Sequence, residues 1–223
     1  MIKFKLHLLL AILLGLGGIT SCSEHEEEDP QYANWQIRNQ DYFVSTMQKA
    51  KDSIAASQQA WGNDWESHCN WRTFKSTSFS SDVAGDITDS ICVEIIEKGT
   101  GSGCPLYTDS VRINYRGLLM TTVNSLGDTV NTVFDHSGLY EDFERVFNPA
   151  TARPVTMAVS SSIRGMATAL QHMHIGDLWR IYVPYQLGFS STAQDEIPAY
   201  STLIFEVQLK AYCRKGSSLP EWN

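Results

Sequence analysis

Residues 153–209 decide the fold of this chain; they contain the segments SSIRGM (161–166), HMHIGD (172–177), VPYQLGF (183–189) and EIPAYSTLIFEVQL (196–209). Apolar residues recur with helical spacing in the first part of this stretch, and β-branched and aromatic residues dominate its end. The pattern predicts one short amphipathic helix packed against strands that end in an aromatic-lined pocket. No residue in the stretch is an obvious nucleophile, which indicates binding or conformational chemistry rather than bond breaking.

The predicted helix buries one face. Its apolar residues are spaced by three, four and three positions: Ile163, Met166, Leu170 and Met173. This spacing places all of them on the same side of a helix. Ser161 or Ser162 is expected to cap the start of the helix, and Gly176 is expected to end it.

The predicted strands alternate apolar and polar residues, or carry short apolar runs, on both sides of the helix. They cover residues 91–95, 111–118, 133–135, 154–159, 178–184 and 202–212. Several strands with a single helix among them favour an antiparallel sheet crossed by that helix. The fold class predicted from these patterns is therefore α+β.

A helical extension is predicted before the sheet. Asp29 and Pro30 are typical of a helix start, and aromatic and apolar residues then recur at helical spacing to about Phe74. The aromatic stripe is expected to pack on the main domain or on a second subunit. The predicted organisation is a signal peptide (1–21), an acidic tether (22–29), the extension and a linker (30–89), the main domain (90–213) and a tail (214–223).

The first residues are typical of a secretory signal. Lys3 and Lys5 precede an apolar run at residues 6–19, and small residues then lead to Cys22. We expect Cys22 to be lipidated and the protein to be an outer membrane lipoprotein that faces the periplasm or the cell surface. The alternative is a short membrane anchor in which Cys22 is incidental, although the run is short for a membrane span.

Charge and cysteine content restrict the partners. The formal net charge of −8 argues against nucleic acid. Four cysteines follow Cys22, namely Cys69, Cys92, Cys104 and Cys213, and they allow three disulfide pairings or four free thiols. No C-x-x-C motif occurs, and the histidines at 68, 172 and 174 lack the spacing of ligands, so no metal or other cofactor is expected.

Six short motifs occur in a defined order along the predicted domain. They are Tyr115-x-Gly117, Phe134-Asp135, Ile163-Arg164-Gly165, Met173-x-Ile175-Gly176, Ile197-Pro198 and the run TLIFEVQL at 202–209. Together they resemble the FKBP-type peptidyl-prolyl cis-trans isomerases over residues 91–212. The resemblance implies a five-stranded antiparallel sheet wrapped around one short helix. Some members of this family carry an N-terminal helical extension that forms homodimers.

The resemblance also implies a site in which an apolar pocket receives a proline ring. The implied catalytic residues are Tyr115, Phe134, Asp135, Ile163, Phe189 and Phe205, and the implied substrate-binding residues are Val155, Met157, Met166 and Ile197. Ile163 would donate its backbone N–H to a substrate carbonyl, and Asp135 would lie at the rim beside Tyr115. The implied partners are proline-containing polypeptides and, as in the family, a macrolide ligand; the membrane would be contacted through the lipid anchor only.

Several positions depart from the family pattern. Met166 stands where the pocket floor is usually tryptophan, and Phe189 stands where a tyrosine usually lies. The connections at residues 120–133 and 136–153 are longer than usual, and Arg145 or Arg153 could supply a basic partner for Asp135. The main hypothesis is a peptidyl-prolyl isomerase that assists folding of exported or cell-envelope proteins. The alternatives are a proline-peptide binding or chaperone module with weak or no catalysis, or a protein whose functional surface is the aromatic N-terminal region.

Overall fold

The computed structural model describes residues 30–79, 85–139 and 146–221. The predicted signal peptide, Cys22 and the acidic tether lie outside these residues. Within them the α-helices are α1 (Trp35–Trp61), α2 (Trp65–His68) and α3 (Arg164–Leu170). The strands are β1 (Trp71–Lys75), β2 (Ser90–Glu97), β3 (Ser110–Leu119), β4 (Thr122–Val123), β5 (Thr129–Val130), β6 (Val133–His136), β7 (Val155–Ala158), β8 (Leu178–Val183) and β9 (Leu203–Cys213).

The large sheet is antiparallel, and its strand order is β1-β2-β8-β9-β3. The free edge of β3 is shared, because β7 pairs with its first half and β6 with its second half. Strands β4 and β5 form a separate hairpin within the long connection at 120–133. The α+β class and the antiparallel sheet around one short helix are therefore confirmed, although the sheet has seven strands where five were expected.

Helices cover both faces of the sheet. Neighbouring residues of a strand point to opposite faces, and here they belong to two different apolar clusters. Ile181 and Val183 pack with α3, whereas Tyr182 packs with Phe43 and Met47 of α1. The described part of the chain from Gln31 onward is one compact unit in which the sheet lies between α1 and α3.

The N-terminal extension is helical over a shorter range than expected. It was predicted to be helical to about Phe74, but Trp71–Lys75 forms β1 and pairs with β2 along its whole length. The segment WRTFK carries aromatic and β-branched residues that suit a pleated surface, and β2 offers an unpaired edge. The aromatic stripe of the extension packs on the main domain, which was one of the two expected arrangements.

The predicted serine cap of α3 is wrong. The Ser161 hydroxyl donates to the Ala158 carbonyl at 2.8 Å, and the Ser162 hydroxyl donates to the Val159 carbonyl at 2.7 Å. Both hydroxyls thus bond to carbonyls at the 3-10 turn Val159–Ser161, and neither accepts from an amide of α3 as a cap would. Ile163 occupies the position before the helix and makes no side-chain cap.

The four cysteines in the described ranges had been expected to form disulfides or to remain free thiols. Cys69, Cys92, Cys104 and Cys213 are free thiols in the structure. Burial, followed by the nearby charge of Glu94, raises the pKa of the Cys92 thiol to about 12, which makes it a packing residue rather than a nucleophile.

Across residues 30–79, 85–139 and 146–221, no helix combines the length and apolarity that a membrane crossing requires.

Candidate active site

The site begins where β6 meets the second half of β3. Gly117 lies opposite Asp135 in the antiparallel register, so Tyr115, two residues earlier, faces Asp135 diagonally. The Tyr115 hydroxyl donates to Asp135 Oδ2 at 2.6 Å. Burial, this hydrogen bond and the Asp135 charge together raise the pKa of Tyr115, so its hydroxyl is a proton donor at neutral pH.

The backbone of Tyr115 is fixed by Ser137, a residue that sequence reasoning missed. The Ser137 hydroxyl accepts from the Tyr115 N–H at 2.9 Å, and the Ser137 N–H donates to the Tyr115 carbonyl at 3.0 Å. Ser137 is buried at the end of β6. A lone serine after a strand carries no pattern that would have revealed this role.

Two phenylalanines form the apolar wall next to this pair. The Phe134 and Phe205 rings meet edge to face, with centroids 5.6 Å apart and an interplanar angle of 89°. Gly117 makes room for them, because a Cβ there would lie 2.5 Å from the Phe134 ring and 3.1 Å from Phe205. The motif Tyr115-x-Gly117 thus has a steric basis that the sequence did not reveal.

Helix α3 belongs to the same apolar cluster as these rings. A Cβ on Gly165 would lie 2.3 Å from Val183 Cγ1, so this glycine allows the helix to approach β8 closely. Met166 follows it and is buried. In the described part of the chain the Ile163 amide N–H, directly before the helix, donates to no other group, so it is free to bind an acceptor.

The fourth side comes from the connection between β8 and β9. It holds Phe189, which is half-buried, and Ile197, which is buried. Ile197 and Gln194 exchange two backbone hydrogen bonds of 2.7 and 2.9 Å. These bonds fold the connection into a tight loop that turns Ile197 inward.

The structure brings the sequence-predicted residues together. The apolar ones all belong to the cluster that surrounds α3: Tyr115, Phe134, Val155, Met157, Ile163, Met166, Phe189, Ile197 and Phe205. Asp135 is exposed and joins this cluster through the Tyr115 hydroxyl. Arg145 lies outside the described residues. The Arg153 backbone N–H donates to Ser137 O at 2.7 Å, and its side chain is not ion-paired with Asp135 within the described ranges.

Titratable residues elsewhere in the described part of the chain do not assemble into a metal site. Within the described ranges no group of three or more His, Cys, Asp or Glu side chains is arranged to hold an ion. His172 instead stacks on Phe74 with the ring centroids 4.1 Å apart, and burial lowers its pKa. A neutral, stacked imidazole is a packing group in this position.

Comparison with known proteins identifies the class of domain that contains these residues. Residues 105–210 match the family model described as FKBP-type peptidyl-prolyl cis-trans isomerase. This part of the chain is therefore an FKBP-type domain, which confirms the resemblance seen in the six motifs.

Particular relatives extend the match beyond that domain. The chain is 30% identical over 139 residues to the macrophage infectivity potentiator of Trypanosoma cruzi, covering 62% of this chain and 61% of the relative. It is 33% identical over 116 residues to the FKBP-type 22 kDa peptidyl-prolyl cis-trans isomerase of Escherichia coli, covering 52% of this chain and 46% of the relative. The chain thus spans less than two thirds of either relative.

One solved structure aligns along nearly the whole chain. It is the crystal structure of FkpA from Escherichia coli, which shares 20% sequence identity with this chain at a TM-score of 0.44. The alignment covers 96% of this chain and 83% of FkpA.

Proposed function

We propose that this protein is a peptidyl-prolyl cis-trans isomerase of the cell envelope that acts on X–Pro bonds in exported polypeptides. The observation that carries the proposal is the edge-to-face pair of Phe134 and Phe205 beside the Tyr115–Asp135 hydrogen bond. Together they combine an apolar wall with a polar rim. These features are complementary to a prolyl peptide, which presents an apolar ring and polar backbone groups. The named relative from Escherichia coli is itself described as an enzyme of this type.

The reaction requires rotation about a conjugated amide. The barrier is roughly 18–20 kcal/mol, and the uncatalysed rotation takes tens to hundreds of seconds. The planar ground state is more dipolar than the twisted transition state, because conjugation places charge on the carbonyl oxygen and the nitrogen. An apolar site that excludes water therefore stabilises the twisted amide relative to the planar one.

Each part of the site has a role in this scheme. Phe134 and Phe205 hold the proline ring, and Met166 lies beneath it. The Ile163 N–H, unpaired within the described residues, donates to a carbonyl of the substrate and orients it. Asp135, fixed by Tyr115, provides a polar acceptor at the rim. None of these roles requires a metal or an activated nucleophile.

A binding module without fast turnover is the second candidate. Met166 and Phe189 motivate it, because methionine is flexible and phenylalanine lacks the hydroxyl of the tyrosine usual in the family. Loss of one such hydrogen bond weakens ligand binding by about 0.5–1.5 kcal/mol. In this case the protein would hold proline-containing segments as a chaperone does.

A proline-peptide isomerisation assay distinguishes the two candidates. Phe134→Ala and Asp135→Ala should each lower kcat/KM by about tenfold or more. Phe79→Ala and Asp128→Ala, which change exposed residues of the same types, are the matched controls and should leave it unchanged.

The enzyme and the binding module predict different results in this assay. Wild-type activity below about a hundredth of a standard isomerase, insensitive to Phe134→Ala and Asp135→Ala, would contradict the enzyme proposal. Calorimetric binding of a proline peptide or a macrolide without turnover would instead support the binding module. Met166→Trp should raise peptide affinity in either case if Met166 is the pocket floor.

The location and assembly are proposed on the sequence and on the packing of α1. The apolar run before Cys22 supports an outer membrane lipoprotein that contacts the membrane through its lipid anchor.

The inner face of α1 lies on its own sheet. A homodimer through this helix would therefore use its outer face, where Ile37 and Val44 are exposed.

A further inference from the structure

The N-terminal helix is hydrogen-bonded to the loop that forms one wall of the candidate active site. At its first residue, the Trp35 indole Nε1 donates to Ser201 Oγ at 2.9 Å. The Ser201 hydroxyl in turn donates to the Pro198 carbonyl at 2.6 Å. A continuous chain of two hydrogen bonds thus runs from α1 to the residue next to Ile197.

One helical turn later, Asn39 makes a second connection. Its Oδ1 accepts from the Thr202 N–H at 2.8 Å, and its backbone carbonyl accepts from the Thr202 hydroxyl at 3.0 Å. The Asn39 side chain is oriented by a third bond, because its Nδ2 donates to the Trp35 carbonyl at 2.8 Å. Asn39 and Thr202 are both 0% exposed, so water does not compete for these bonds.

The loop contains three residues in an uncommon backbone conformation. Ser190, Asp195 and Tyr200 have φ angles of 57°, 43° and 64°, in the left-handed region that side chains other than glycine rarely adopt. Residues held in this way persist only where surrounding contacts over-determine them. The bonds from Trp35 and Asn39 fall at the end of this segment, immediately before β9 begins.

The N-terminal extension also packs next to the loop through Tyr32. Tyr32 contacts the Trp35 ring edge to face at 5.0 Å between centroids. The Tyr32 ring lines an open groove together with Ile197 and Pro198. The same segment that anchors the loop therefore lies beside the proposed proline pocket.

We infer that Trp35 and Asn39 are positioning residues for the proposed reaction, acting through Ser201 and Thr202 on the Ile197 wall. The inference rests on the proposed function, because the wall matters only if the pocket binds proline. When the anchor is lost, the loop samples other conformations, and the apparent affinity falls with the fraction of molecules that are competent to bind. Of the proposed catalytic residues only Phe189 lies in this connection, at the end away from Ser201 and Thr202, so the loss should affect binding more than the rate at which bound substrate isomerises.

Steady-state kinetics of variants that break the hydrogen bonds between Trp35 and Ser201 test the positioning role. Trp35→Phe keeps an aromatic ring and removes the indole N–H, and Ser201→Ala removes the next group in the chain. Each should raise KM about 2–10-fold and leave kcat within about twofold. The double variant should resemble either single variant, because both changes break the same chain of hydrogen bonds.

The matched control is Met47→Ala, which destabilises the same helix through a buried residue that packs against Tyr182, away from the loop. At a temperature where all variants are folded, it should change neither KM nor kcat. The inference is overturned if Met47→Ala raises KM as much as Trp35→Phe does, or if Trp35→Phe and Ser201→Ala leave KM unchanged.

Hydrogen exchange separates failure of the anchor from failure of the proposed function. Trp35→Phe and Ser201→Ala should accelerate amide exchange of Ile197 and Thr202, and Met47→Ala should not. Wild-type protein that neither binds nor turns over a proline peptide would refute the proposed function. Unchanged exchange at Ile197 and Thr202 in both anchor variants would refute the anchor itself, whatever the activity.

Discussion

At the scale of single residues, the candidate site depends on contacts that have little room for change. Gly117 leaves room for Phe134 and Phe205, because a Cβ there would lie 2.5 Å from the Phe134 ring and would force it to shift. Tyr115 is constrained on both sides, since Ser137 holds its backbone and Asp135 accepts from its hydroxyl. The polar rim is therefore set by one hydrogen bond in an otherwise apolar surrounding.

Replacing Tyr115 by phenylalanine tests that bond. The variant keeps the ring and leaves Asp135, which is exposed, to be solvated by water, so stability should change by less than about 1 kcal/mol. The value of kcat/KM for a proline peptide should fall about 2–10-fold, the equivalent of one lost hydrogen bond. Tyr107→Phe, at a tyrosine that is 53% exposed, is the control and should have no effect. An unchanged kcat/KM in Tyr115→Phe would contradict the role of the rim.

At the scale of secondary-structure elements, a row of alternating charges crosses four strands. Glu94 on β2, Arg180 on β8, Glu206 on β9 and Arg116 on β3 are direct neighbours in the antiparallel register. Arg180 Nη2 lies 2.8 Å from Glu206 Oε1, and Arg116 Nε lies 2.9 Å from Glu206 Oε2. Glu206 is thus buried between two arginines on the face of the sheet covered by α1.

Neutralising Glu206 should therefore destabilise the fold. Removing one partner of a buried charge network leaves the others uncompensated and costs about 3–5 kcal/mol. We expect Glu206→Gln to lower the free energy of unfolding by this amount in urea titrations. Glu94→Gln is the matched control, because Glu94 pairs with the same Arg180 but is partly exposed, and it should cost less than about 1 kcal/mol. Equal losses of unfolding free energy in the two variants would show that burial does not decide how much each carboxylate contributes to stability.

At the scale of the whole molecule, the extension and the FKBP-type domain are one structure. Helix α1 covers one face of the sheet, β1 adds an edge strand, and Trp35 and Asn39 bind the loop before β9. The extension thus completes the domain.

Attachment to the membrane is predicted to depend on Cys22. Two acyl chains suffice for stable anchoring, and Cys22→Ala removes the residue that would carry them. Cell fractionation should find the wild type in the membrane fraction and Cys22→Ala in the soluble periplasmic fraction. Cys213→Ala, at a partly buried free thiol, is the control and should stay with the membrane. Recovery of Cys22→Ala in the membrane fraction would refute the lipoprotein proposal.

The local patterns of the sequence were enough to predict the α+β class, the positions of β3, β8 and β9 and the presence of a helix with Ile163, Met166 and Leu170 on its buried side, although that helix ends at Leu170 and not at the predicted Gly176. They succeed because periods of two and of 3.6 residues report which face of an element is buried. The candidate site residues came from the family resemblance that the six motifs carry, and Val155, Met157, Met166 and Phe189 lie outside those motifs.

The tertiary structure alone decided what depends on distant partners. That Trp71–Lys75 is a strand follows from the open edge of β2, and the serines before α3 prefer carbonyls of the preceding turn. The anchor from Trp35 to Ser201 joins residues 166 positions apart. No local pattern can specify such a bond, because its free energy depends on burial that exists only once the sheet has brought the two ends together.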